Sequence, residues 1–418
     1  MGDHCPRLPG ENKERKEMLP KGRLIAGGGT ALALTLALSA PTAAAPENRA
    51  GVYDRIVLMG DSFISGEGGA WEGNAKNLGA LKQYVPDPQD VEKTARNQLE
   101  TYGRSLYTTD KKDPGCHRSD ASGGFGLYDE DVENFACSGA ESKDILTDSW
   151  KGEQPQIEQL KAFLDKDVNY KVTTLVISIG GNDLKLGDVV KDCVSDFVLR
   201  SFPCSISHTS DIDTRMEALP TSIGNVVDEV GKVFTEKGKA IPQIVLRSYP
   251  NPFSGSKERR EGDSFDSGMR EGIPFYNMDL DWLRDVNDDL NAVIKSVATT
   301  KKVGFLGLTD LFDGHEVGSN QAEQVSGGKK PAEKDAEWAR SINAVRGAYA
   351  DKFGRLSDRN AVQEYAHPNY YGQLAMNACL FSYMRFVKAG TGTPNARMNC
   401  EAAAGQSPEN GPVTVPAS

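Results

Sequence analysis

The chain has 418 residues, carries a formal charge of −11, and is 38% hydrophobic. That length and apolar content support a packed core and exclude disorder throughout. The acidic balance excludes a nucleic-acid partner, because no basic stripe is present to neutralise phosphates.

The first element in chain order is a leader. An apolar run from Leu24 is preceded by Lys21 and Arg23 and ends in Thr42-Ala43-Ala44-Ala45. This is the pattern of a secretory signal: basic n-region, apolar h-region, small-residue cleavage site. Residues 1–45 are assigned to it, with cleavage after Ala44 favoured because Pro46 hinders a cut after Ala45. Met18 is an alternative start, since the residues before it are charged and fit no n-region well. Against an uncleaved anchor, the apolar core is short for a span of ~20 residues. No later stretch is long enough to cross a membrane, so no stable insertion is expected once the leader is removed, and the mature protein is expected outside the cell.

Five short, apolar, β-branched runs follow: Arg55–Met59, Val132–Ala136, Thr174–Ile179, Gln243–Ser248 and Val303–Gly307. Helical periodicity is found at Pro155–Leu164, Arg215–Glu236, Leu280–Thr299, Glu333–Ala350 and Gly372–Val387. Strands separated by helical stretches predict an α/β fold, one doubly wound five-stranded parallel sheet with crossover helices. Long Gly/Pro-punctuated polar segments (Ala70–Gly115, Lys185–Asp213, Asn251–Pro274 and Asp313–Pro331) read as loop insertions, and loops that long are commonly functional or mobile. One domain is expected over residues 46–390. The Ala/Gly/Pro/Ser-rich tail, residues 391–418, is expected to be tethered by Cys400 and otherwise disordered.

Six cysteines lie beyond the leader: Cys116, Cys137, Cys193, Cys204, Cys379 and Cys400. An even count in an exported chain reads as disulfides, although six cysteines allow about 15 connectivities. Local spacing favours Cys116–Cys137, Cys193–Cys204 and Cys379–Cys400. No CxxC occurs, and beyond the leader only Cys116-His117 sets the two residue types side by side, so no metal is expected. The acidic run Asp279, Asp281, Asp285, Asp288 and Asp289 has the spacing of a helix's wet face. His117, His208 and His315 lie in polar segments and read as solvated.

The chemistry begins at Gly60-Asp61-Ser62, directly after Ile56-Val57-Leu58-Met59. A serine on a glycine-rich turn at a strand's C-terminal end is presented to the crevice of an α/β sheet. Alone, such a tripeptide is ordinarily just a turn, because Asp and Ser bond their own backbone. Three further segments supply what a serine nucleophile needs: Ser138-Gly139-Ala140, Gly180-Gly181-Asn182-Asp183 and His367-Pro368-Asn369. In this order the four blocks resemble those of the SGNH hydrolases, also called GDSL esterases and lipases, and the chain looks closest to secreted actinobacterial esterases and phospholipases. The resemblance runs from about Arg55 to Val387 and is carried by the blocks; the loops lie outside it. No Gly-x-Ser-x-Gly elbow surrounds Ser62, which argues against the ordinary α/β-hydrolase fold.

The resemblance implies a flavodoxin-like three-layer α/β/α scaffold, three sequential disulfides and an ester hydrolase without cofactor, acting as a monomer. It assigns Ser62 as nucleophile and His367 as base, with the Ser62 and Gly139 main-chain N–H groups and the Asn182 amide as the oxyanion hole. The family usually has Asp three residues before the histidine, and here that position is Glu364. Either Glu364 or a main-chain carbonyl is then expected to orient His367. Lipid esters, including phospholipids, are the expected substrates, with Phe63, Ile64 and Trp71 available to line an acyl pocket. A carbohydrate O-acyl esterase is the alternative, with Tyr249, Phe253 and Tyr276 in a sugar cleft. A non-catalytic surface binding protein of the same fold is the third reading, and the complete set of four blocks speaks against it.

Overall fold

The computed structural model describes residues 53–69, 74, 115–119, 122, 132–166, 170–324, 331–342, 363–388, 395–402, 405–409 and 411–417. The leader, Trp71 and most of residues 70–115 lie outside the described residues. The strands are β1 (Tyr53–Gly60), β2 (Val132–Asn134), β3 (Tyr170–Ser178), β4 (Gln243–Arg247), β5 (Gly304–Gly307), β6 (Arg397–Glu401) and β7 (Val413–Pro416). The helices are α1 (Ser62–Ser65), α2 (Ser142–Leu146), α3 (Gln156–Lys166), α4 (Leu186–Leu199), α5 (Ser205–Glu236), α6 (Phe265–Glu271), α7 (Asn277–Lys301) and α8 (Tyr370–Lys388).

One sheet takes all seven strands in the order β2-β1-β3-β4-β5-β6-β7. The first six are parallel, and β7 returns antiparallel to β6. Strands covered on both faces need no polar alternation, which is why Ile56, Val57, Leu58 and Met59 are all buried. From β1 the chain goes first to β2 on one side and then crosses to β3 on the other. The crevice between β1 and β3 is therefore the topological switch point, where α/β sheets hold ligands beyond the carboxyl ends of their strands. Ser62 follows β1, and Asn182 follows β3.

The helices cover both faces, with α3, α5 and α7 side by side and α8 against β5 and β7. Disulfides join Cys116 to Cys137, Cys193 to Cys204 and Cys379 to Cys400. The last ties α8 to β6.

Three expectations are corrected. The segment Lys185–Asp213 is largely helical, as α4 and the start of α5; Val189, Cys193 and Phe197, four residues apart, form the buried stripe of α4. The described part of Glu333–Ala350, up to residue 342, forms turns and short bridges instead of a helix. Its apolar spacing came from a buried loop, with Trp338 enclosed by Phe312 and by His315, whose ring stacks on the indole at 3.7 Å. Finally, the tail forms a strand: β7 pairs Val413–Pro416 with β6, so the main chain supplies the order that the composition does not.

Candidate active site

The turn after β1 is built from a glycine outward. Gly60 has φ +134°, and a Cβ there would lie 1.9 Å from the Ser178 carbonyl oxygen, so this close approach at the paired ends of β1 and β3 requires glycine. Gln156 closes both main-chain groups of Gly60, accepting from its N–H at 2.8 Å and donating to its carbonyl at 2.8 Å. Asp61 then caps α1, its Oδ1 accepting from the Phe63 N–H at 3.1 Å. Its Oδ2 accepts from the Tyr249 hydroxyl at 2.5 Å. Burial pushes the Asp61 carboxyl up to about 7, against the pull of the Tyr249 and Phe63 bonds and of the Arg247 charge. Arg247 is itself buried and donates to the Phe63 carbonyl at 3.0 Å.

Ser62 is thereby held at the N-terminus of α1 with its hydroxyl 2.6 Å from His367 Nε2. His367 Nδ1 lies 2.9 Å from the main-chain oxygen of Tyr365. A carbonyl only accepts, so Nδ1 carries the proton and Nε2 presents its lone pair to the serine hydroxyl. This is the arrangement in which an imidazole takes a proton from a hydroxyl. Of the two orienting groups expected from sequence, the carbonyl is the one at Nδ1. Glu364 is buried, and its charge contributes to raising His117.

The His367 loop is fixed by main chain. Arg340 N–H donates to the His367 carbonyl at 2.8 Å, and Ala366 N–H to the Arg340 carbonyl at 3.0 Å. Ala366 adopts φ +65°, a left-handed turn that aims the next residue back toward the sheet.

Gly139 follows β2 at φ +80°, with the Trp150 ring packed where a Cβ would point, 3.2 Å away. Trp150 Nε1 donates to the Ser138 carbonyl at 2.9 Å, which fixes that turn. The Asn182 amide donates to the Ala140 carbonyl at 3.0 Å, leaving its second N–H available. Neither the Ser62 nor the Gly139 main-chain N–H has an acceptor among the described residues. The structure therefore brings all four sequence blocks to one rim, with three N–H groups that have no acceptor among the described residues.

Sequence reasoning missed a fully buried carboxylate beneath them. Glu67 Oε1 accepts from His117 Nδ1 at 2.9 Å, and Oε2 accepts from the Ser138 hydroxyl. Oε2 also lies 3.7 Å from His367 Nε2. Burial would raise Glu67, but the charge that His367 carries once protonated, the His117 charge and the hydrogen bonds from His117 and Ser138 outweigh it and hold the carboxyl below its ordinary value. His117 is correspondingly raised by Glu67, against its own burial. The signal available in sequence was Glu67 between Gly66 and Gly68, a charge on a turn too close to Ser62 to face bulk water.

Other expectations change with burial. His117 and His315 are buried instead of solvated, the latter with Nδ1 2.9 Å from the Ala336 carbonyl, and His208 is half-buried beside Asp192. Ile64 belongs to the core, whereas Phe63 is half-buried and packs on both Tyr249 and His367 at 5.1 Å. Tyr249 and Phe253 are buried, and the half-buried Tyr276 spends its hydroxyl on the Ser201 carbonyl, so these aromatics do not line an open sugar cleft. Asp279 departs from the wet face: it is buried beside Cys193 and Cys204 and accepts from the N–H groups of Cys204 and Ser205. Those two cysteines are joined as a disulfide.

A family model described as GDSL-like lipase/acylhydrolase matches residues 56–379. Among curated proteins none matches the chain. Among solved structures, a phospholipase A1 from Streptomyces albidoflavus is 18% identical with TM-score 0.48, the match covering 79% of this chain and 99% of that one. An extracellular lipase from Streptomyces rimosus is 20% identical with TM-score 0.43, covering 77% and 94%. An acetylxylan esterase from Geobacillus stearothermophilus is 14% identical with TM-score 0.30, covering 79% and 94%.

Proposed function

The chain belongs to the GDSL-like lipase/acylhydrolase family, a carboxylic ester hydrolase, and from that premise we propose that Ser62 and His367 form its catalytic pair. The Ser62 hydroxyl attacks the ester carbonyl carbon while His367 Nε2 takes its proton. The oxyanion is received by the N–H groups of Ser62 and Gly139 and by the Asn182 amide, one such donor being worth about 3 kcal/mol of barrier. Collapse breaks the ester C–O bond, and the leaving alcohol takes the proton from Nε2. Water then attacks the acyl-serine with His367 as base, freeing the acid and restoring the serine. The observation that carries this reading is the 2.6 Å contact between Ser62 Oγ and His367 Nε2, with the tautomer fixed from the Tyr365 carbonyl.

The substrate class we infer is lipid esters, phospholipids included, hydrolysed by a secreted monomer. Phe63, half-buried against His367, supports an apolar approach to the serine, and the leader-like N-terminus with three disulfides supports export. Wild type is expected to hydrolyse p-nitrophenyl butyrate and Ser62→Ala to be inactive; equal rates would sink the mechanism. Acyl-chain profiling tests the substrate class: a preference for acetyl over octanoyl esters would exclude the lipid reading.

A further inference from the structure

Large apolar side chains that remain exposed are concentrated at one corner. Val198, Leu199, Phe202, Ile206 and Met278 are five of the seven such residues among those described, with Leu199 77%, Phe202 80% and Ile206 67% exposed. They occupy the end of α4, the connection to α5, the first turn of α5 and the first turn of α7. The corner is rigid. Cys193 is joined to Cys204, Asp279 accepts from the N–H groups of Cys204 and Ser205, and Tyr276 bonds the Ser201 carbonyl. Phe197 stacks on Phe265 at 5.3 Å, and the Arg200 guanidinium covers the other end of that pair, 4.6 Å from the Phe265 ring. The apolar residues are thus displayed by an anchored scaffold.

Topology puts this corner on the side of the serine. Helices α5 and α7 each lead into a parallel strand, so they run antiparallel to the sheet, and their N-termini point beyond its carboxyl rim. Gly180, beside Asn182 on that rim, faces Leu219 and Ile223 of α5 and Leu290 of α7, whose tips would be 3.1–3.5 Å from a Cβ there. From Leu219 back to Ser205 the helix climbs about 20 Å above that level, and from Leu290 back to Met278 about 18 Å, at ~1.5 Å per residue. The cluster therefore lies on the serine's side of the sheet, beyond its carboxyl rim.

We propose that this apolar corner docks the enzyme on a lipid–water interface, presenting the Ser62 crevice to esters in the surface; the inference rests on the lipid-ester reading above. Charge and size favour a lipid surface as the occupant. From Val198 to Ser210 the chain has no Asp or Glu and one basic residue, Arg200, within a protein of charge −11. Apolar side chains with a neighbouring cation suit the headgroup and acyl boundary. A fully exposed Phe withdraws roughly 150–250 Å²; the other four side chains are smaller and the five are 39–80% exposed, so together they offer several hundred Å², short of the ~800 Å² per partner of a standard protein interface.

The test compares the full chain with Leu199→Ser/Phe202→Ser. Sedimentation with phosphatidylcholine vesicles containing some phosphatidylglycerol reads docking, and p-nitrophenyl butyrate reads the site itself. The double variant is expected to lose at least about tenfold in vesicle binding and in hydrolysis of vesicle-borne ester, while the soluble ester is turned over within about twofold of wild type. A second variant, Phe202→Trp, is expected to keep binding and to gain a fluorescence signal quenched by brominated lipid. Wild type that ignores vesicles, a double variant that binds them equally, an unquenched Trp, or a wild-type dimer that the double variant dissociates would each overturn the proposal. Loss of soluble-ester activity in wild type would instead overturn the hydrolase reading, because vesicle binding is scored separately.

Discussion

The two ends of the proposed catalytic pair are held by different means. Ser62 sits on a turn secured by buried side chains: Gln156 on Gly60, Tyr249 on Asp61, and His117 and Ser138 on Glu67. His367 sits on a loop secured by main-chain bonds to Arg340, and its orienting acceptor is itself main chain, the Tyr365 carbonyl. A side-chain anchor depends on residue identity and protonation; a main-chain anchor depends only on backbone path. The nucleophile's end should therefore be sensitive to substitution and pH, and the base's end should be sensitive at His367 and at the buried amides of Asn369 and Asn74, which bond the Glu337, Ala339 and Ser341 main chain, but little to pH.

The largest expected effect is His367→Ala, which removes the base and should lower kcat/KM at least about 10³-fold. Asn182→Ala should come next, lowering kcat about 10²–10³-fold with KM little changed, since an oxyanion donor acts mainly in the transition state. His117→Gln probes the side-chain anchor through stability. Glu67 is held below its ordinary 4.5, so its contribution is present above that pH and is lost as pH falls through the folded value. His117 is raised above 6.5, so its contribution is complete below that pH and is lost as pH rises through the folded value. Thermal unfolding should show wild type more stable by about 1–3 kcal/mol between those limits, the gap narrowing toward alkaline pH. A constant gap across pH would mean that the pair is not ionised as described. The smallest effect should be Glu364→Gln: with a carbonyl at Nδ1, kcat/KM should change less than about threefold. A 10²-fold loss would return the orienting role to that carboxylate.

The same contrast explains what could be read from the sequence. Strands β1 and β3 were legible because burial on both faces leaves an uninterrupted apolar run, and Ser62, Gly139, Asn182 and His367 were legible because each block follows a strand or precedes a helix. Features carried by the main chain left no residue signature. The Tyr365 carbonyl at Nδ1 is one, and the pairing of Val413–Pro416 with Arg397–Glu401 is another. Burial by distant segments was also invisible. Nothing local to His315 indicates the Trp338 ring lying on it, and nothing local to Glu67 indicates that His117, fifty residues on, closes over it.

The Cys116–Cys137 bridge ties these threads together. It stands between the residue before His117 and the residue before Ser138, and the Ser138 N–H bonds the Cys116 carbonyl at 3.0 Å. One covalent link thus clamps the partner of Glu67 to the turn that carries the Gly139 N–H. In a reducing compartment, where thiols stay unpaired, that clamp would be missing while the strands could still form. The Glu67 carboxylate and the Gly139 turn would then be held to one another by hydrogen bonds alone.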